Sequence, residues 1–185
     1  MSTSMMAQTN KIKKGSSYLM PQMALLNGSS GMGAQVQLSG GLVRNNWHLG
    51  LGTGIDYYEM RSIPLYTDIR YHFGKEQKVF AYMNLGYNFD WVQKMDDKVY
   101  IVPPAMNTLK YTGGLYGDWG IGYNIKISKN HSLALSTGFS IKQMGEEYQE
   151  LLFSIWPWPV TNESAIRKFD YTFKRVSLKV AYRLW

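Results

Sequence analysis

The amino-acid sequence predicts an all-β fold, an antiparallel up-and-down transmembrane β-barrel of about eight strands. Two observations lead to this prediction. Apolar and polar residues alternate with a period of two along most of the chain, while helical spacing of apolar residues is rare. Tight polar connections also alternate with longer ones. The chain has 185 residues, of which 45% are hydrophobic and 15% aromatic, and this length suits one closed barrel.

Eight segments show the alternation. The first is weaker than the others because Pro21 interrupts it, and proline belongs at strand edges, starts or bulges. In chain order the predicted strands are Ser17–Leu26, Ala34–Leu42, Trp47–Tyr57, Leu65–Phe73, Val79–Trp91, Leu115–Ile127, Leu133–Ile141 and Val176–Leu184. Tyr171 and Phe173 are out of register with Val176, and this predicts a β-bulge near Lys174.

The connections between these strands differ in length in a regular way. Those at 44–46, 74–77 and 128–132 are tight and polar, whereas those at 92–111 and 148–168 run to about twenty residues. In a meander, the three tight turns lie at one end and the two long loops at the other. Outer-membrane barrels combine short periplasmic turns with longer extracellular loops. We therefore expect a bacterial outer-membrane location with both termini periplasmic.

The apolar faces of the predicted strands are broad and carry Tyr or Trp near their ends, which is typical of strands that face lipid. The opposite face combines small residues with charged and polar ones. Since the interior of an eight-stranded barrel is just wide enough for side chains, we expect these residues to fill it. The predicted interior polar residues are His48, Asp56, Asp68, Arg70, Asn88, Asp118, Lys126, Lys142, Lys179 and Arg183. The alternative is a soluble lipocalin-like barrel, in which the apolar face points inward.

Residues 17–185 are assigned to the barrel, and residues 1–16 to a leader or periplasmic segment. Met5-Met6-Ala7 before Gln8 resembles the end of a secretory signal, with Ala7 as the last residue before cleavage. A flexible leader without such a role is the alternative, and the sequence leaves both open.

The segments from Leu49 to Phe73 and from Val79 to Trp91 resemble the outer-membrane β-barrel domains common in Bacteroidetes, which are similar to small OmpA/OmpX-type barrels. This resemblance covers roughly residues 17–185 and contains no catalytic signature. It implies outer-membrane lipid as the surroundings of the barrel. The chain end also resembles the terminal-strand signal read by the barrel-assembly machinery, although its aromatic residue falls one place beyond the apolar register. The residues of this assembly signal are Val180, Tyr182, Leu184 and Trp185.

The two long loops contain the strongest functional signal. Both carry apolar, proline-containing runs, and exposed apolar patches usually mark interfaces. The candidate partner-binding residues are Tyr100, Pro103, Pro104, Phe153, Trp156 and Trp158. We expect a non-enzymatic barrel that contacts a partner protein here, as an accessory subunit of an outer-membrane complex. The alternative is that these residues pack on each other over the barrel mouth.

Other function classes have less support. The chain has no cysteine, which excludes thiol nucleophiles and cysteine-ligated zinc, and its net charge of +7 is too dispersed to indicate a nucleic-acid partner. A lipid-modifying enzyme would need a histidine near the extracellular rim, yet His48, His72 and His131 lie near predicted periplasmic turns. We therefore expect no catalytic residue, no cofactor and no metal site. An OmpW-like conduit for small or apolar molecules remains as the main alternative.

Overall fold

The structure is a computed structural model that describes residues 16–74, 76–91, 106–128, 131–151 and 164–184. In these residues eight antiparallel strands follow one another in chain order, and the sheet closes because β1 pairs with both β2 and β8. The strands are β1 (Ser16–Gly28), β2 (Gly31–Arg44), β3 (Trp47–Asp56), β4 (Ser62–Phe73), β5 (Val79–Asp90), β6 (Met106–Lys126), β7 (His131–Leu151) and β8 (Ser164–Leu184). The predicted closed antiparallel barrel is thereby confirmed. No described residue belongs to a helix long and apolar enough to span a membrane.

The turns after β2, β4 and β6 are short and lie where β1 begins and β8 ends, and we call this the terminal end. The backbone adopts positive φ in these turns at Asn45 (56°), Gly74 (72°) and Gln77 (53°). Glycine and asparagine tolerate this left-handed conformation best, so two of the three positions carry suited residues. The opposite end of the barrel, with the β1–β2, β3–β4, β5–β6 and β7–β8 connections, is the distal end.

The two faces of the sheet have opposite chemistry. Large apolar side chains point outward on every strand; Leu51 is 64% exposed, for example, and Leu178 is 58% exposed. The side chains between them point inward and are buried, among them Asp68 and Lys179. A soluble barrel would show the reverse arrangement. The outward apolar belt therefore contradicts the lipocalin-like alternative.

Strands β6, β7 and β8 are each 21 residues long, whereas β1–β5 have 10–14 residues. The β5–β6 pairing ends at Asn88 and Gly114, and the β1–β8 pairing ends at Gly28 and Arg175. Beyond these points the three long strands continue together at the distal end. We call this part, residues 106–113, 144–151 and 164–174, the distal extension.

The distal extension corrects the predicted long connections at 92–111 and 148–168. Antiparallel pairing of β6 with β7 reaches Met106, and pairing of β7 with β8 reaches Leu151 and Ser164. Parts of these strands resemble loops in the sequence because their outer face is polar. The alternation is present there, but with the opposite polarity to the apolar belt.

The predicted bulge near Lys174 is wrong. The β7–β8 register is unbroken from His131↔Leu184 to Leu151↔Ser164, so Phe173 points inward and Val176 outward by simple alternation. The apolar pattern of the sequence changes here because the aromatic Phe173 lies on the inner face, and not because β8 contains an extra residue. The register shifts in the described strands lie instead between β6 and β7, at Thr108/Lys110 and at Gly113/Tyr116.

Candidate functional site

Buried ion pairs cross the barrel interior. Asp56 at the end of β3 meets two cations from the opposite wall, with Arg175 Nη1 at 2.6 Å from Oδ2 and Lys142 Nζ at 3.6 Å from Oδ1. All three side chains are fully buried. A charge without a partner is very unfavourable in such a place, so these contacts tie β3 to β7 and β8.

Two more carboxylates lie nearer the terminal end. Arg70 Nε donates to Asp68 at 2.8 Å, and Tyr18 Oη donates to the same carboxylate at 3.1 Å. On the other side of the barrel, Lys179 Nζ donates to Asp118. Tyr82 and Tyr116 also donate to Asp118, each at 3.1 Å. The interior therefore pairs its charges by hydrogen-bonded contacts, within β4 for Asp68 with Arg70 and between strands for Asp118 with Lys179.

Amide and phenol groups fill the space between the ion pairs. Gln22 Nε2 donates to Gln37 Oε1 at 2.8 Å, and Gln37 Nε2 donates to Tyr116 Oη at 2.8 Å. The Tyr66 ring lies against Gly52, where an added Cβ would come within 2.4 Å of it. Large rings thus pack onto glycines of neighbouring strands, and the described side chains occupy the centre of the barrel.

Some buried polar atoms in this region have no partner among the described residues. Both amide atoms of Asn84 and the Gln35 Oε1 atom are examples. Buried groups of this kind are normally satisfied by ordered water.

At the distal end the β3–β4 loop, residues 57–61, folds into the barrel mouth. Its side chains Tyr58 and Met60 are almost completely buried, and Lys142 Nζ donates to the backbone carbonyls of both residues. Tyr58 Oη accepts a hydrogen bond from the Ser30 amide at 3.2 Å. The loop residues join an apolar cluster whose other members are Ala24, Leu26, Met144 and Phe173. This loop closes the distal mouth.

The inner face of the distal extension is aromatic. Tyr148 and Phe169 stack at 4.9 Å with 11° between their planes, and Tyr171 and Phe173 stack at 6.2 Å with 15°. Tyr171 Oη also donates to Glu146 at 3.3 Å. Phe169 is half-exposed. The extension therefore presents an aromatic and acidic inner face beyond the closed mouth.

Most of the predicted interior residues are buried inside the barrel. These are His48, Asp56, Asp68, Arg70, Asn88, Asp118, Lys142 and Lys179. Arg183 is only partly buried, and Lys126 is exposed, which corrects its predicted interior position. Lys126 is the last residue of β6, one inward position beyond Asn124, so it reaches solvent at the rim.

The candidate partner-binding residues lie outside the described residues. These are Tyr100, Pro103, Pro104, Phe153, Trp156 and Trp158. Of the predicted assembly signal, Val180 and Tyr182 are exposed on the outer face, Leu184 is partly buried, and Trp185 lies outside the described residues. The predicted leader at 1–16 is described only from Ser16, where β1 begins.

Sequence reasoning missed Arg175, which binds Asp56. Arg175 lies on the same inner face as Lys179, so alternation counted back from Lys179 predicts an inward side chain. The bulge expected near Lys174 prevented that prediction. The roles of Gln22, Gln37 and Tyr116 had no comparable signal, because their partners lie on distant strands.

The described histidines do not form a catalytic or metal-binding group. His48 and His72 are buried inside the terminal end, while His131 stacks on Tyr182 at 5.8 Å. No group of three His, Cys, Asp or Glu side chains that could hold a metal ion occurs in the described part of the chain. The described residues therefore offer no observation in favour of the lipid-modifying enzyme.

No protein-family profile matches the chain, and no curated protein matches it. Solved structures do. The outer membrane protein OprG from Pseudomonas aeruginosa is 9% identical, with 91% of this chain and 95% of that chain covered and a TM-score of 0.52. The chain has the fold of a small outer-membrane barrel. Neisserial surface protein A is 13% identical over 92% of this chain and 97% of that chain, with a TM-score of 0.49. AlkL, determined in DMPC lipid bilayers, is 9% identical over 100% of this chain and 96% of that chain, also with a TM-score of 0.49.

Proposed function

We propose that the protein is a non-enzymatic integral barrel of the bacterial outer membrane whose distal extension binds a partner protein, as an accessory subunit of an outer-membrane complex. The observation that carries this proposal is the distal extension itself. Three strands continue beyond the closed sheet, and β8 exposes the apolar side chains of Ile166 and Phe169 there. The relationship to Bacteroidetes-type barrels, suggested by the residue pattern, is part of the same proposal.

The outward apolar belt supports the membrane location. Aromatic side chains lie towards the ends of this belt, such as Trp47 at the terminal end and Phe89 at the distal end, as expected at the two membrane interfaces. By the same rule, the short turns and both termini face the periplasm, and the distal extension faces the outside of the cell. Insertion then depends on the assembly machinery, which would recognise Val180, Tyr182 and the residues that follow.

The membrane location has a simple test. The native protein should require detergent for extraction, and its electrophoretic mobility should change on boiling, because a folded barrel resists detergent denaturation until it is heated. Extraction by salt alone, or mobility that does not change on boiling, would contradict the outer-membrane barrel.

The partner surface is supported by exposure and by strand edges. Ile166 is 69% exposed and Phe169 is 50% exposed. Residues 164–174 of β8 pair only with β7 among the described residues. Apolar side chains beside an unpaired strand edge are typical of surfaces that bind other proteins. The apolar runs with Trp156 and Trp158 connect β7 to β8 at this same end.

Co-purification from native membranes tests the partner. The double variant Trp156→Ala/Trp158→Ala and the single variant Phe169→Ala should form barrels normally but retain less of a co-purifying protein. Trp47→Ala is the matched control, since Trp47 lies on the outer face at the terminal end. Equal recovery of the same proteins with all variants would contradict the proposed interface.

A conduit for small or apolar molecules is the second candidate function. The apolar cluster at the distal mouth, with Leu26, Met60 and Met144, favours it. The ion pairs and rings beneath that cluster oppose it, because they occupy the centre of the barrel. Single-channel recording in planar bilayers distinguishes the two candidates: a closed barrel gives no discrete conductance, and a reproducible single-channel step would favour the conduit.

A further inference from the structure

Two histidines lie in ring contact inside the terminal end. His48 of β3 and His72 of β4 are each only 2% exposed, and their ring centroids are 4.1 Å apart. The Tyr18 ring contacts His48 and the Phe80 ring contacts His72, each in a tilted arrangement with the ring centroids 5.3 Å apart. The Nδ1 atoms of both histidines are buried without a hydrogen-bond partner among the described residues. Buried polar atoms without partners are rare, and each needs an explanation.

Two more unpartnered groups lie on the inner face of β7 and β8 at the same end. Ser132 and Arg183 are directly opposite each other in the β7–β8 register. The Ser132 hydroxyl and Arg183 Nε are buried without a partner, although the Arg183 side chain as a whole is partly exposed. Arg183 lies within electrostatic range of both histidines. The β7–β8 register and the electrostatic interaction of Arg183 with both histidines therefore place the four groups at the same terminal mouth.

The charge balance of this region is positive. Arg70, which also interacts electrostatically with Arg183, has its counter-ion in Asp68 at 2.8 Å. Arg183 forms no ion pair with any described residue. A metal cation would be repelled by the two guanidinium groups, although histidines alone would suit it. The same positive charges would stabilise a bound anion.

The available donors also suit an anion. Arg183 offers a guanidinium fork, a neutral imidazole can donate from Nδ1, and Ser132 offers a hydroxyl. Arginine is the side chain best matched to the planar or tetrahedral oxygens of carboxylates and phosphates. Water would satisfy the hydrogen bonds but would leave the charge of Arg183 without a counter-ion.

We propose that the terminal end contains a binding site for one oxyanion, a carboxylate or phosphate group, formed by His48, His72, Ser132 and Arg183. The partial exposure of Arg183 gives the anion access from the terminal side. The site is independent of the proposed partner surface, which lies at the opposite end of the barrel. A bound group would tie β3 and β4 to β7 and β8 across the mouth.

Nuclear magnetic resonance of the histidine side chains tests the site in the full chain, folded in detergent micelles. Inorganic phosphate and acetate are titrated separately at constant ionic strength. We expect saturable shifts at His48 and His72 with at least one of the two anions, and none at His131, which stacks on Tyr182 at the outer face. Saturable shifts with phosphate but not acetate would indicate a phosphorylated ligand. Saturable shifts with acetate but not phosphate would indicate a carboxylate ligand. Shifts that do not saturate, or that are equal at all three histidines, would overturn the site.

Variants at one position separate the site from general charge effects. Arg183→Gln should weaken the anion affinity at least about tenfold, because a charge-assisted hydrogen bond is lost. Arg183→Lys should weaken it less and guards against a folding defect in the first variant. Lys126→Gln is the matched control, since it removes one positive charge from the exposed terminal rim. Equal weakening by Lys126→Gln and Arg183→Gln would overturn the proposal, as would unchanged affinity in Arg183→Gln.

Discussion

The closed band of the barrel, in which all eight strands pair, and the distal extension, which β6, β7 and β8 alone form, are organised by different forces. In the closed band every strand has two neighbours, and the inner face is enclosed on all sides. In the distal extension only β6, β7 and β8 continue, so the inner face opens to one side. Ion pairs such as Asp56 with Arg175 occur in the first region, and stacked rings such as Tyr148 with Phe169 in the second.

The difference follows from enclosure. A charge buried at the centre of the closed band is removed from bulk water, so it requires a counter-charge nearby. In the extension the charged pair Lys168 and Asp170 stays on the outer side in solvent, with 54% and 77% of the side chains exposed. There the rings can stack without any need for ionic partners. The comparison predicts large, global effects for mutations in the band and small, local ones in the extension.

The largest effect is expected for Asp56→Asn. The substitution leaves Arg175 and Lys142 buried without their counter-charge, which should lower the free energy of unfolding by about 3–5 kcal/mol. Urea unfolding of the protein in lipid vesicles measures this change in the free energy of unfolding. Glu76→Gln is the control, because Glu76 pairs with Lys78 in solvent and should show no measurable change. Equal free energies of unfolding for Asp56→Asn and the wild type would contradict a stabilising role of the ion pairs that Asp56 forms.

An intermediate effect is expected for Gly33→Val, at the border of the two regions. A Cβ at Gly33 would lie 2.8–2.9 Å from atoms of Tyr58, so the β3–β4 loop must shift out of the mouth, at a cost of about 1–3 kcal/mol. Trypsin should then cleave after Arg61 faster than in the wild type. Gly40→Val is the control, since a Cβ at Gly40 would lie no closer than 3.3 Å to any neighbouring atom, and that atom is the Tyr18 carbonyl oxygen rather than an atom of the loop. Unchanged cleavage in Gly33→Val would contradict the closing role of Tyr58.

The smallest effect is expected for Phe169→Ala. Loss of the stack on Tyr148 should destabilise the distal extension by about 0.5–1.5 kcal/mol and leave the closed band unchanged. Hydrogen exchange measures this locally, with faster exchange at 164–172 and unchanged exchange at 176–183. Ile166→Ala serves as the control, because Ile166 is exposed and, by alternation from Phe169, points to the outer face, away from the stacked rings. Faster exchange in both ranges would mean that the extension and the band form one cooperative unit.

The sequence alone determined the strand positions in the band, the short turns and the two faces of the sheet. Alternation is a local property, since neighbouring side chains on a strand necessarily point to opposite sides. Eight alternating segments were therefore enough to predict a barrel and to place Asp68, Arg70, Asp118 and Lys179 on its inner face. The same rule misplaced Lys126, because alternation gives the direction of a side chain and not its depth.

Only the tertiary structure decided which partners meet. Arg175 pairs with Asp56, which is 119 residues away in the chain, and Lys142 reaches the carbonyls of Tyr58 and Met60. These contacts depend on the register between strands, where a shift of one residue would turn every side chain to the other face. The distal extension was missed for a related reason. Beyond the apolar belt the polarity of the two faces is reversed, and only the pairing of β6 with β7 and of β7 with β8 shows that the strands continue.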